Sequence, residues 1–217
     1  MRRSSATAAA ATTWNRNAGR YGAQEHWETT AVDAALRVAA PRSGERLVDL
    51  ATGSGLVLRR LAGRPDRPRE VVGVDRSPRM LAGVGELPPG WSTITADARS
   101  VPLPDGWADV VTCAYMLHLL DPPARAAVLA EARRLLAPRT SSRLVVVTVW
   151  AGTPFVRGGL GLLARTLPRA WGGLRPLDPS ADLVAAGLAV TQRVVLARSG
   201  YPSLVLGAEA RPGDLLA

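Results

Sequence analysis

The sequence predicts an α/β fold in which helices cover a mostly parallel sheet. Short apolar segments alternate with helical segments between residues 46 and 150. Strands that are apolar on both faces are typical of a parallel sheet buried between helices. Two later strand-like segments are separated by Ser199-Gly200 alone. A link this short cannot cross over a sheet, so it predicts that the chain finishes with an antiparallel hairpin.

The first part of the chain is predicted to be a tail followed by a helix. Residues 1–13 contain arginine and serine but no continuous apolar segment, which favours a disordered tail over a signal peptide. Apolar residues then recur at helical spacing over residues 14–40, and Pro41 and Gly44 end the helix. We expect this helix to form a lid over the functional site.

Alternation of strands and helices predicts the remaining elements. The strands are expected at 46–50, 70–75, 91–96, 107–115, 143–150, 189–198 and 201–211. The helices are expected at 56–63, 77–84, 121–137 and 178–188, the second with Ser77 as N-cap and Pro78 at its first position. Residues 151–177, rich in Gly, Pro, Leu and Arg, have weak periodicity and are interpreted as a substrate loop.

Composition limits the class of protein. The chain has 217 residues, 47% of them hydrophobic, which suits one domain over residues 14–217. Cys113 is the single cysteine, which excludes a disulfide framework and favours a reducing, cytoplasmic location. The two histidines, His26 and His118, are far apart in sequence, so no metal site is expected. The sequence contains no run of about 18 apolar residues, so no membrane span is expected.

All 27 basic residues are arginines, and the formal net charge is +9. The absence of lysine excludes a Walker-type phosphate loop and a Schiff-base enzyme, because both need that side chain. Residues 132–177 contain eight arginines and no acidic residue. This stretch is either a solvated basic face or a surface that attracts an anionic substrate or a membrane.

The segment "RLVDLATGSGLVL" places Gly53-Ser54-Gly55 between the first strand and its helix. Glycines at such a turn let the backbone approach a ligand, and the helix that follows presents free N–H groups. Asp75 ends the second strand, 20 residues after Gly55, where a carboxylate can accept both hydroxyls of a ribose. Asp97 ends the third strand. Together these residues predict an adenosine-type ligand at the carboxyl ends of the strands.

The dinucleotide fingerprint is incomplete, because Leu58 stands at its third glycine position. This departure disfavours NAD. The segments "LVDLATGSG", "VVGVDRSPRML", "ITADARSVPLPDGWADVVTCAYMLHLL" and "LLAPRTSSRLVVVTVW" resemble, in order and spacing, the class I S-adenosylmethionine-dependent methyltransferases, most of all the ubiquinone/menaquinone C-methyltransferase branch. The resemblance covers about residues 14–211. It implies a Rossmann-like three-layer sandwich with a seven-stranded sheet whose last strand is antiparallel.

The resemblance also implies a role for individual residues around S-adenosylmethionine. Asp49, Ala51, Gly53 and Gly55 would shape the loop around the methionine part, with alanine at 51 where many members have glycine. Asp75 would hold the ribose, and Arg76 and Met80 would flank the adenine. Asp97 and the Ala98 backbone would recognise its amino edge. Tyr115 would line the sulfonium side, and Tyr21 would close over the cofactor.

Methyl transfer to a phenol or an activated ring carbon needs a base, and neutral histidine suits that task. His118 is the better candidate because related phenolic O-methyltransferases place a histidine in this neighbourhood, and His26 on the helical lid is the second. We therefore expect C- or O-methylation of a small organic acceptor, such as a quinone precursor or an aromatic or polyketide-like metabolite. Alternatives are an RNA or protein methyltransferase and a non-catalytic partner subunit. Ala124 counts against nucleic acid, because base-methylating relatives of the "DPPA" pattern carry an aromatic residue there.

Overall fold

The computed structural model describes residues 21–150, 176–197 and 202–210. Within these residues, seven strands form one sheet in the order β3-β2-β1-β4-β5-β7-β6. The strands are β1 (Arg46–Leu50), β2 (Glu70–Asp75), β3 (Trp91–Thr95), β4 (Val110–Ala114), β5 (Arg143–Val149), β6 (Leu188–Leu196) and β7 (Ser203–Ala210). Only β7 runs against its neighbours, and it pairs with both β5 and β6. The predicted mostly parallel sheet with an antiparallel hairpin is confirmed.

Helices cover both faces of this sheet. They are α1 (Tyr21–Ala39), α2 (Leu56–Ala62), α3 (Pro78–Leu81), α4 (Pro122–Leu135) and α5 (Ser180–Ala185). On one face, α1 and α2 pack through residues such as Leu36 and Leu58 against the sheet. On the other, Leu129 of α4 and Leu183 of α5 join the second apolar cluster. This arrangement is the three-layer sandwich that the sequence predicts.

Helix α1 is anchored in the core along its second half. Val32, Leu36 and Ala39 are almost fully buried, and the helix contacts β5, β7 and α2. Residues 14–20 of the predicted lid, and the predicted tail before them, lie outside the described residues. The described part of this helix is therefore packed into the outer layer of the sandwich. No helix in the described ranges is both long enough and apolar enough to cross a bilayer.

Arg143, at the start of β5, closes the C-terminal end of α1. Its guanidinium donates hydrogen bonds to the carbonyls of Ala39 and Ala40, and it holds the Glu45 carboxylate at 2.9 and 3.0 Å. Both side chains are only 13% exposed. Burial is the largest influence on Glu45 and opposes its ionisation, but the hydrogen bonds from Arg143 and from the Arg42 N–H, together with the charges of both arginines, lower the pKa of that carboxyl. Arg143 thus satisfies carbonyls that the helix end leaves without intrahelical partners.

We expect Arg143→Gln to lower the free energy of unfolding by about 3 kcal/mol, because it leaves a largely buried carboxylate without its cation. Urea denaturation measures the loss. Arg60→Gln is the matched control, since Arg60 also holds a carboxylate, that of Asp33, at 2.6 and 2.7 Å but is 45% exposed. The control should lose less than about 1 kcal/mol. Equal losses in the two variants would contradict the anchoring role of Arg143.

Candidate functional site

The loop between β1 and α2 is shaped by three residues in the left-handed region. Ala51, Gly53 and Gly55 have φ angles of 58°, 57° and 86°. A Cβ at Gly55 would lie 3.0 Å from Val84 Cγ1, and one at Gly53 would lie 3.2 Å from Met80 Cε. The glycines are therefore needed for both their conformation and the close approach of neighbouring side chains. Ala51 adopts the same conformation with a Cβ, which is strained.

Asp75, at the end of β2, is tied to this loop. Its Oδ2 accepts the Gly53 N–H at 2.9 Å, and its Oδ1 accepts the Ser77 N–H at 2.8 Å. Burial raises the pKa of Asp75, and these backbone hydrogen bonds oppose the rise. The Arg76 backbone also contributes a hydrogen bond, and since a carboxylate offers about four acceptor positions, Asp75 keeps capacity for a further donor. Asp75 is thus oriented by the backbone and still able to accept a hydroxyl group of a ligand.

A cavity of about 320 Å³ lies at the carboxyl ends of β1, β2, β3 and β4. Ligands of open parallel sheets bind at this edge. Of the residues predicted to bind the cofactor, those that line the cavity are Ala51, Gly53, Asp75, Arg76, Met80, Asp97, Ala98 and Tyr115. The structure therefore brings together residues from four strand ends that are up to 64 positions apart in the sequence.

Two further predicted residues act from outside the described cavity wall. Gly55 is the N-cap of α2, behind the loop. Asp49 is fully buried in β1, where its Oδ1 accepts the Thr112 hydroxyl at 2.7 Å and its Oδ2 has no hydrogen-bond partner among the described residues. Burial raises the pKa of Asp49 to about 7. The side chain of Tyr21 lies outside the described residues.

The Asp97 carboxylate is held by arginines. Arg99 donates from Nε to Oδ1 at 2.9 Å and from Nη2 to Oδ2 at 2.6 Å. Hydrogen bonds from Arg99 lower the pKa of Asp97, more than burial raises it. The sequence reasoning did not single out Arg99. The sequence does carry a signal for this contact. An aspartate side chain often accepts the backbone N–H two residues later, in an Asx-turn, and Arg99 stands two residues after Asp97.

Tyr115 and His118 follow β4 at the far end of the cavity. Tyr115 has a φ of 55°, and its hydroxyl lies 2.8 Å from the Ser203 hydroxyl on β7. Its ring meets His118 edge-on, with ring centroids 6.3 Å apart. His118 is buried, and its Nδ1 has no hydrogen-bond partner in the described part of the chain. Burial lowers the pKa of His118 to about 4, so its imidazole is neutral at pH 7.

His118 packs behind Tyr115 rather than on the described cavity wall. His26 is exposed on α1. The catalytic roles of both histidines stay predictions. Cys113 is buried in β4, and burial raises the pKa of its thiol, as expected for an inert strand residue.

Helix α1 reaches the glycine loop through Glu25. This carboxylate accepts the Ser54 hydroxyl and pairs with Arg59 of α2 at 2.7 Å. Arg59 also donates to the Ser54 carbonyl. The N-terminal helix is therefore bonded directly to the loop that borders the cavity.

The acid-free, arginine-rich stretch falls partly within the described residues. Arg134, Arg139 and Arg143 pair with carboxylates from outside the stretch, among them Glu131, Asp109 and Glu45. These three guanidiniums are thus partly neutralised. The arginines at 157, 165, 169 and 175, and most of the predicted substrate loop at 151–177, lie outside the described residues. No group of three or more potential metal ligands occurs in the described ranges.

A family described as "Methyltransferase domain" matches residues 47–139. The chain is 36% identical over 149 residues to the demethylmenaquinone methyltransferase of Thermus thermophilus, which covers 67% of this chain and 62% of that protein. It is 34% identical over 113 residues to a ubiquinone/menaquinone biosynthesis C-methyltransferase of Paraburkholderia phymatum, covering 49% and 44%. The chain thus spans about three fifths of the first relative and less than half of the second.

Two solved structures share the fold. Magnesium protoporphyrin IX methyltransferase from Synechocystis, with bound S-adenosylhomocysteine, has a TM-score of 0.62 at 21% identity and covers 87% of this chain and 86% of its own. The [4+2]-cyclase SpnF has a TM-score of 0.66 at 18% identity and covers 84% and 80%. Neighbours with different reactions show that the shared architecture alone does not define the chemistry.

We expect Ala51→Gly to raise the free energy of unfolding by about 0.5 kcal/mol. Removal of a Cβ in the left-handed region relieves about 1 kcal/mol of strain, and the greater freedom of glycine in the unfolded chain offsets part of it. Ala127→Gly, on the exposed side of α4, is the control and should lose about 1 kcal/mol. Urea denaturation of both variants checks the signs, and destabilisation by Ala51→Gly would show that the loop is not strained there.

Proposed function

Because residues 47–139 match a family described as a methyltransferase domain, we propose that this protein transfers a methyl group from S-adenosylmethionine to a small organic acceptor. One observation carries the proposal. The Asp75 carboxylate borders the cavity while the Gly53 N–H, from the loop after β1, holds it in place. A carboxylate that is pre-oriented at this strand end is suited to a hydroxyl of a ribose.

The cavity residues fit the other parts of S-adenosylmethionine. Gly53 and Ala51 present backbone rather than bulk to the methionine part, and a Cβ at Gly53 would crowd Met80. Met80 and Arg76 lie beside Asp75 and offer an apolar and a cationic contact to the adenine. When bound, S-adenosylmethionine supplies a methyl group that its positive sulfonium makes electrophilic.

The protein's main contribution to the rate is alignment of the acceptor and exclusion of water. Apolar side chains, including Val74, Met116, Leu119 and Val128, line much of the cavity. Alignment of two reactants in such a site supplies much of the acceleration of a displacement reaction. Tyr115 borders the same space with its hydroxyl engaged by Ser203. This hydrogen bond restrains the Tyr115 ring, which forms part of the cavity wall.

The acceptor class that we favour is a reduced naphthoquinone with a free ring position. The names of two relatives support it, since both are quinone methyltransferases. Methylation of such a ring needs a proton removed, and His118 is the base that we propose. Its imidazole is neutral at pH 7, and its Nδ1 finds no partner within the described residues. The acceptor would have to approach from the side of Tyr115 on which His118 packs.

We expect Asp75→Asn to weaken the binding of S-adenosylhomocysteine by about 10- to 100-fold, because a hydrogen bond to a charged group is lost and an amide donor faces the ribose. Isothermal titration measures the affinities. Asp66→Asn is the control, since Asp66 is 54% exposed on the surface and pairs only with Arg64 among the described residues. NADH should give no signal. A folded wild-type protein that binds no S-adenosylhomocysteine would contradict the proposal and favour a non-catalytic partner subunit.

We expect His118→Gln to lower kcat by about 100-fold with a reduced naphthoquinone acceptor, since a positioned base contributes about that factor. Transfer of labelled methyl from S-adenosylmethionine measures the rate. The affinity for S-adenosylhomocysteine should be unchanged, and thermal unfolding should confirm that the variant is folded. His26→Gln is measured alongside. If only that variant were slow, the role of base would pass to His26.

A further inference from the structure

The turn after β3 places Arg99 against the side chain of Asp97. Asp97 Oδ1 accepts both the backbone N–H of Arg99 at 3.0 Å and its Nε at 2.9 Å. Asp97 Oδ2 accepts Nη2 of Arg99 at 2.6 Å and Nη2 of Arg76 at 3.4 Å. Ser100 N–H donates to the Asp97 carbonyl at 2.9 Å and closes the turn. Asp97, Arg76 and Arg99 all line the cavity.

These contacts use the carboxylate unevenly. Each oxygen has room for about two donors. Oδ1 is fully used by Arg99, and Oδ2 has one short bond from Arg99 and one contact from Arg76. At 3.4 Å the Arg76 contact is longer than an ordinary N–H···O bond, which measures about 2.7–3.2 Å. One acceptor position, on Oδ2, is therefore weakly occupied and open to exchange.

We infer that Arg99 is a positioning residue that fixes the Asp97 carboxylate so that a single Oδ2 position accepts the exocyclic amino group of the cofactor's adenine. The inference rests on the proposed function and deepens it. The amino donor displaces the long Arg76 contact and leaves the bidentate Arg99 pair intact. A purine with a carbonyl oxygen in place of the amino group is rejected, because two acceptor oxygens would then face each other with no proton between them.

The electrostatics agree with this geometry. Arg99 lowers the pKa of Asp97, so the carboxylate stays ionised at pH values where an ordinary aspartate begins to protonate. An ionised carboxylate is an acceptor only. Arg99 is 40% exposed, and hence its replacement is not expected to prevent folding. The charge of Asp97 and its rotamer are both set by the same side chain.

The experiment compares two ligands that differ only in the base. S-adenosylhomocysteine carries an amino donor, and S-inosylhomocysteine carries a carbonyl at the same ring position. Isothermal titration gives both affinities for the wild type, Arg99→Gln and Arg99→Lys. Arg64→Gln is the matched control, because Arg64 also binds an aspartate two positions away, Asp66, through Nε and Nη2, but does not line this cavity among the described residues.

We expect the wild type to prefer the adenosyl ligand by about 10- to 100-fold, which is the effect of one hydrogen bond to a charged acceptor. Arg99→Gln should reduce that preference to about threefold or less, and Arg99→Lys should give an intermediate value because it keeps the charge and loses the bidentate geometry. Arg64→Gln should match the wild type. A preference that is unchanged in Arg99→Gln would overturn the inference, as would a wild type that binds both ligands equally.

Dependence of binding on pH provides a second measurement. In the wild type, Arg99 lowers the pKa of Asp97 and burial raises that of Asp75, so the loss of affinity for S-adenosylhomocysteine as the pH falls should begin with Asp75. In Arg99→Gln the pKa of Asp97 rises toward that of Asp75, and the affinity should fall more steeply with falling pH. Coincident profiles would overturn the inference. If the wild type bound neither ligand at any pH, the proposed function itself would fail, which is a different result from lost discrimination.

Discussion

Two hydrogen bonds donated by backbone N–H groups of the loop after β1 to the end of β2 support the rest of the site. Thr52 N–H donates to the Val74 carbonyl, and Gly53 N–H donates to the Asp75 carboxylate, both at 2.9 Å. They fold the loop over the end of β2. Gly73 makes this possible, because a Cβ there would lie 3.0 Å from Thr52 Cγ2. The same two hydrogen bonds thus fix both the position of the loop and the orientation of the carboxylate. The cavity lies between these groups and the ends of β3 and β4.

The sheet could be predicted from the sequence because its strands are buried on both faces. β1, β2 and β5 consist of apolar runs bounded by turn residues, and their predicted positions agree with the structure to within one residue. The helix predicted at 77–84 is shorter, Pro78–Leu81. Apolar residues continue beyond it, but Gly83 and Gly85 follow, and Gly85 takes a positive φ. Local backbone conformation ended this helix earlier than periodicity indicated.

The boundaries that depend on side-chain contacts could not be predicted. The strand predicted at 107–115 begins at Val110, and the Asp109 side chain just before it accepts the Arg46 N–H at 2.9 Å. In the hairpin, Leu196 pairs with Ser203, so the paired strands end before the predicted two-residue link. Residues 198–201 lie outside the described residues. Such contacts join residues far apart in sequence, and a single sequence does not show them.

The same distinction applies to the site. The residue types at the strand ends placed Gly53, Asp75 and Asp97 on one cavity, since parallel strands end at one edge. The sequence did not predict which of these side chains are already hydrogen-bonded or buried within the protein. Asp97 proved to be held by Arg99, and Asp49 proved to be buried beneath the loop. His118 is enclosed behind Tyr115, a result of the backbone turn at the end of β4. Rotamers and turn geometry decided these three points.

The central claim is that the cavity at the ends of β1 to β4 holds the adenosyl cofactor. A crystal structure of the protein grown with S-adenosylhomocysteine tests it most directly. We expect a ribose hydroxyl within hydrogen-bond distance of the Asp75 carboxylate, and the methionine part against the backbone of Gly53. Ligand density elsewhere on the protein, with Asp75 still bonded only to backbone N–H groups, would contradict the claim.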